Sequence, residues 1–130
     1  MTRARPLALL VTHGALGQEL VRTAEAILGP QPEVITLSND GLSADGLCST
    51  IEERIRETPA TQAIVLFLDL AAGSCGIAGR RVDVPDRTLR RLTGVNLPML
   101  LEFFHYRDTL SLDDLVARLE TKGKAGITVF

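Results

Sequence analysis

Residues 7–20 read LALLVTHGALGQEL, and the change of pattern at Thr12-His13-Gly14 decides the fold. Residues 7–11 are continuously apolar and short, which predicts a strand buried on both faces. From Leu16 the apolar residues recur at helical spacing: Leu16, Leu20, Val21, Ala24, Ile27 and Leu28. Gly29-Pro30 then stops the helix. A strand covered on both faces that feeds an amphipathic helix is the opening of a parallel α/β unit.

The same alternation continues along the chain. Val34-Ile35-Thr36-Leu37 predicts a second strand, and Ser38-Asn39-Asp40-Gly41 a turn or loop. Leu47, Ile51 and Ile55 space a second helix, with Pro59 beyond its end. AIVLFLD, residues 63–69, is the strongest buried strand and ends on a carboxylate. Residues 74–82 predict a short helix. Residues 80–91 are charged and read as a surface connection into a strand over 92–95. Pro98 sits in the first turn of the next helix. Ser111 with Asp113 and Asp114 starts the last one, and residues 123–126 end it. ITVF, residues 127–130, reads as a final short strand. The expectation is one α/β domain over residues 1–130 with a mostly parallel sheet and right-handed crossovers.

Bulk properties exclude several function classes. The chain has 130 residues, 45% of them apolar, enough for one real core. With four Phe, one Tyr and no Trp it lacks a stacking platform for single-stranded nucleic acid. The net charge of −2 gives no field to attract nucleic acid. Cys48 and Cys75 have no metal spacing and form no disulfide framework, so the default is a reducing, cytoplasmic setting. No signal peptide is visible, and no apolar run approaches the roughly 18 residues of a membrane span.

Ligands of open parallel sheets collect beyond the C-terminal ends of strands. Three predicted ends carry capable groups: Thr12-His13, Asp69 followed by Gly73-Ser74, and Asn96. If the first and third strands are neighbours, His13 and Asp69 face each other. A carboxylate on one imidazole nitrogen fixes the tautomer and aims the other outward as a nucleophile. Gly73 and Ser74 let backbone amides approach an anion. The helices after His13 and after Ser74 add favourable N-terminal partial charge. Each residue also has a plain reading: a hydrogen-bonding His, an N-capping Asp, a Gly-Ser turn. His105 reads as a helix-face residue. Cys75 is either reactive or a small buried Cys. Arg80, Arg81, Arg87, Arg90 and Arg91 form a basic cluster, either a solvated face or a dock for an acidic partner.

LLVTHGALGQELVRTAEAILG, VLFLDLAAGSCGIA, LTGVNLPMLLEFF and SLDDLVARLETKGKAGI together resemble the enzyme IIA domain of the mannose family in the bacterial sugar phosphotransferase system. A related branch is the dihydroxyacetone-kinase phosphocarrier subunit, but the T-H-G and G-V-N-L-P-M-L wording favours the mannose branch. The resemblance implies a doubly wound sheet with helices on both faces and a homodimer that exchanges the C-terminal edge strand, here residues 127–130. It implies that His13 accepts a phosphoryl group from the histidine-containing phosphocarrier protein and passes it to a IIB component. Asp69 would orient His13, and Thr12, Gly14, Gly73, Ser74 and Asn96 would line the phosphoryl pocket. Neither a metal nor a small cofactor is implied, and contact with a membrane transporter would be peripheral at most. The chain departs from the family's G-G-S-P loop, reading Ala72-Gly73-Ser74-Cys75, and Ala71 replaces a bulkier residue. That departure leaves an alternative: a non-transport regulatory or interaction module with altered phosphotransfer. A hydrolase is a weaker option, because no Ser or Cys sits on a recognisable nucleophile elbow.

Overall fold

The computed structural model describes residues 5–130. Among them, strands β1 (Leu7–Thr12), β2 (Val34–Ser38), β3 (Ile64–Leu68) and β4 (Leu89–Leu92) form one parallel sheet in the order β2-β1-β3-β4. The connecting helices are α1 (Leu16–Leu28), α2 (Ala44–Arg56) and α3 (Gly73–Arg81), followed by α4 (Leu97–Tyr106) and α5 (Leu112–Ala125).

The two central strands explain the two layers of helices. Side chains alternate across a strand. Ala8, Leu10, Val65 and Phe67 point to one face, where Val21, Ala24, Met99, Leu100, Phe103, Leu115 and Leu119 of α1, α4 and α5 cover them. Leu7, Leu9, Val11, Ile64, Leu66 and Leu68 point to the other, under Leu47, Ile51 and Ile55 of α2 and Cys75 and Ala78 of α3. The chain steps from β1 outward to β2, then back across β1 to β3. Reversing direction with crossovers of one hand puts α1 on one face and α2 and α3 on the other. Each fully buried Leu or Ile in these layers stabilises by about 1.5–3 kcal/mol.

Local signals set the helix ends. Ser43, Asn96 and Ser111 cap α2, α4 and α5, accepting from the amides of Gly46, Met99 and Asp114 at 3.1, 3.0 and 3.2 Å. Thr12 does the same for α1 from the end of β1: its buried Oγ1 accepts from the Gly17 amide at 2.7 Å. Arg107, after α4, is buried, and its guanidinium donates to the carbonyls of Pro32 and Glu33 and to Gln31 Oε1. Burial pushes its pKa down. It thereby fastens the turn into β2, where Glu33 has φ +58°.

Two expectations need correcting. The fourth strand is Leu89–Leu92 rather than 92–95, in register Ile64↔Leu89 to Phe67↔Leu92. Arg90 and Arg91 disguise it, but an edge strand has room for them. Arg90 reaches Asp113 on α5, and Arg91 donates to the carbonyls of Gly79 and Val82 at the end of α3. The segment 127–130 forms no strand within this chain. Its Ile127, Val129 and Phe130 are exposed.

Gly79 is where α3 comes down onto β3: a Cβ there would stand 2.4 Å from Leu68 Cδ1. Gly79→Ala is expected to lower stability by about 1–3 kcal/mol through overpacking, read as a lower urea midpoint with an unchanged m-value. An unchanged midpoint would show that Leu68 can move aside at no cost.

Candidate functional site

The parallel register pairs Val11 with Leu68, so β1 and β3 end side by side and release His13 and Asp69 at the same rim. This is the point where the chain turns outward in opposite directions, the usual ligand crevice of open α/β sheets. Asp69 Oδ2 accepts twice from His13: from its backbone amide at 2.9 Å and from ring Nδ1 at 2.9 Å. Oδ1 accepts from the Leu70 amide, also at 2.9 Å. The Asp69 side chain is only 8% exposed, while that of His13 is 39% exposed.

Burial raises the Asp69 pKa, but the bonds from the His13 amide and ring and from the Leu70 amide outweigh it, so the carboxyl titrates below its ordinary value. An ionised carboxylate can only accept, so Nδ1 carries the proton. Nε2 is then the free ring nitrogen. It faces the start of α3, where a Cβ on Gly73 would stand 3.4 Å from it. Gly73 has φ +75°, a conformation that suits glycine, and its bare Cα lets the chain pass against the ring. The amides of Gly73, Ser74 and Cys75 in the first turn of α3 have no intrahelical carbonyl to bond. They make the rim next to Nε2 attractive to an anion.

The structure separates the seven expected site residues. His13, Asp69, Gly73 and Ser74 come together, with Gly14 beside them. Thr12 contributes position only, since its hydroxyl is buried in the cap of α1. Asn96 is committed elsewhere: Oδ1 caps α4, and Nδ2 donates to the Gly123 carbonyl of α5 at 3.1 Å. The start of α1 is also less available than α3. The amides of Gly14, Leu16 and Gly17 already donate to Asn39 Oδ1, the His13 carbonyl and Thr12 Oγ1.

Asn39 lies in the stretch Ser38-Asn39-Asp40-Gly41, which the sequence marks only as a turn or loop. Its backbone amide extends the ladder to the Thr12 carbonyl at 3.1 Å, just past β2. Its Oδ1 accepts from the Gly14 amide at 3.1 Å, and Nδ2 donates to Ser74 Oγ at 3.3 Å. One side chain therefore joins the loops that follow β1, β2 and β3. The available signal was position: Asn39 follows a strand next to β1 at the same rim.

Cys75 is buried, and burial first, with the Asp69 charge second, pushes its thiol up to about 11. It is a neutral packing thiol at physiological pH, not a nucleophile. The ligating atoms of His13, Asp69 and Cys75 lie within 4.8 Å of one another. A metal there would have to displace the thiol proton and break the His13–Asp69 hydrogen bond. His105 stands exposed against Tyr106. Each arginine of the basic cluster has an intramolecular partner: Ala71 O for Arg80, Asp45 for Arg81, and Ile55 O, Thr58 and Pro59 O for Arg87, with Arg90 and Arg91 as above.

A doubly wound α/β protein that presents one carboxylate-steered imidazole over a helix N-terminus is built to handle an anionic group. Residues 8–120 match the EIIA-man family, described as the PTS system fructose IIA component, and the chain belongs to that family. It is 31% identical over 118 residues to the PTS system mannose-specific EIIAB component of Escherichia coli (strain K12), an alignment covering 89% of this chain. The chain spans 36% of the length of that relative. Among solved structures it is similar to the phosphotransferase system component EIIA from Streptococcus agalactiae. That match has 25% identity, a TM-score of 0.84, and covers 96% of this chain and 97% of the other. The mannose/sorbose specific IIA subunit from Enterococcus faecalis shares the fold with a TM-score of 0.80, at 23% identity, with 98% and 96% covered. Among the described residues no helix is long and apolar enough to cross a membrane.

The depressed Asp69 pKa has a signed consequence. A carboxyl that titrates lower in the folded state stabilises the fold above its unfolded value, near 3.8, and loses that contribution as pH falls through the native value. The stability gap between the protein and Asp69→Asn is therefore expected to be constant near neutrality and to shrink below about pH 4. Urea midpoints across that range measure it. A gap that widens on acidification would mean that the carboxyl titrates high.

Proposed function

We propose that the protein is a phosphotransfer carrier of the sugar phosphotransferase system, with His13 as the phosphoryl acceptor and Asp69 as its orienting base. The reading rests chiefly on one geometry: Asp69 holds the Nδ1 proton at 2.9 Å, and Nε2 is left against the first turn of α3. The Nε2 lone pair attacks phosphorus while the bond from phosphorus to the donor's nitrogen breaks and its electron pair leaves with the donor imidazole. The proton stays on Nδ1, so the ring gains positive charge, which the Asp69 anion offsets. Ser74 and the amides of Gly73, Ser74 and Cys75 receive the phosphoryl oxygens. Transfer of this kind needs positioning and charge stabilisation rather than a metal or cofactor of the protein's own.

The donor in this reading is the histidine-containing phosphocarrier protein, and the acceptor a IIB component, all in the cytoplasm. Incubation with phosphoenolpyruvate, enzyme I and the phosphocarrier protein tests it. Intact mass should report one phosphoryl adduct, acid-labile and base-stable, absent from His13→Ala. Asp69→Ala should slow its formation on the order of 10²-fold, because a misaimed ring loses that much. No adduct on the native protein would instead support an interaction module, which the altered Ala71-Ala72-Gly73-Ser74-Cys75 loop otherwise leaves as the second reading.

The protein also acts as a homodimer in this reading. Among the described residues β4 pairs with β3 alone, which leaves its outer edge open. A groove of about 530 Å³ runs beside it, lined by Arg91, Gly94, Val116, Lys124 and Ile127 among others. An exposed edge and an exposed apolar tail are mutual remedies when two copies meet. Removal of residues 127–130 should convert the dimer to monomer or aggregate in light scattering. A soluble dimer after truncation would refute strand exchange.

A further inference from the structure

Asn39 does more than tie loops together. Its orientation is dictated by what it touches. The Gly14 amide can only donate, so the atom facing it at 3.1 Å must be the carboxamide oxygen. The NH2 group is then turned toward Ser74, 3.3 Å away, and can only donate to Oγ. A hydroxyl that accepts from Asn39 cannot give its own proton back to it. The Ser74 proton must go elsewhere. A phosphoryl oxygen arriving at this rim is a strong acceptor for it. Ser74 lies one residue past Gly73, the residue packed against His13 Nε2.

We propose that Asn39 is a positioning residue that sets the polarity of the Ser74 hydroxyl, making it a hydrogen-bond donor to the phosphoryl group on His13. This rests on the phosphotransfer reading above. An amide is required because it presents an acceptor to Gly14 and a donor to Ser74 at once. A carboxylate of the same shape keeps the Gly14 bond but would draw the Ser74 proton onto itself and set a negative charge beside the incoming anion.

The order of two substitutions separates this role from a structural one. If Asn39 only braces the loops, Asn39→Asp, which retains the Gly14 bond, should be milder than Asn39→Ala. If it orients Ser74, Asn39→Asp should be the worse. The measured quantity is the initial rate of His13 phosphorylation by the charged phosphocarrier protein, with thermal unfolding of each variant as the fold control. Asn39→Ala is expected to be about tenfold slower and Asn39→Asp on the order of 10²-fold slower, the scale for losing an oxyanion donor. Ser74→Ala should be slowed to a similar degree, and adding Asn39→Ala to it should cost little more, since the group being oriented is gone.

Asn39→Asp phosphorylated as fast as Asn39→Ala, or faster, overturns the proposal. So does a Ser74→Ala rate equal to that of the native protein, which keeps the idea falsifiable even if the Asn39 variants do not fold. Absence of any adduct on the native protein removes the phosphotransfer reading and this inference with it. A normal native rate with the wrong order of variants removes this inference alone.

Discussion

One oxygen atom organises the rim of this molecule. Asp69 Oδ2 accepts from both the backbone amide and the ring of His13, so a single acceptor fixes where that residue's main chain runs and how its side chain turns. A buried carboxylate is costly unless its acceptor capacity is used. Here the Leu70 amide supplies a third bond, and the group remains an anion. The charge that steers the imidazole is thus kept by the same bonds that hold the loop.

That arrangement depends on β1 and β3 being neighbours, which follows from how the apolar strands are covered. Both are apolar on both faces, so neither tolerates an edge position. The half-buried β2 and the arginine-bearing β4 take the edges instead. With the central pair settled, the loops after β1 and β3 must meet, and the loop after β2 lies beside them. Asn39 makes use of that third proximity.

The two helix N-termini at this rim are put to different uses. The start of α1 is closed by Thr12 and Asn39, while the first turn of α3 lies open beside Nε2. Gly73 brings the chain close to the ring, and Gly79 seats the helix on Leu68. The substitution at Cys75 falls inside this arrangement, in the core rather than on the surface, so its thiol is packing material and remains protonated.

The elements that bury continuous apolar faces were legible from the chain alone: β1, β2, β3, α1 and the Ser111-capped α5 lie where periodicity and capping residues put them. His13 and Asp69 were legible as residues at strand ends. The departures share a cause. β4 was hidden because its arginines find carbonyl and carboxylate partners that are distant in sequence. Thr12 and Asn96 looked like site residues, but their polar atoms are spent on helix caps and on α5. Residues 127–130 have β propensity but pair with no strand of the chain. Asn39 was invisible because its two side-chain partners come from separate loops. Periodicity and capping are local, encoded within a few residues, and the sequence by itself therefore determined most of the elements, the core and the position of His13 and Asp69 at strand ends. Which nitrogen of His13 is free, which helix N-terminus lies beside it and which side chain joins the three loops depend on contacts across tens of residues, and only the packed sheet decides those.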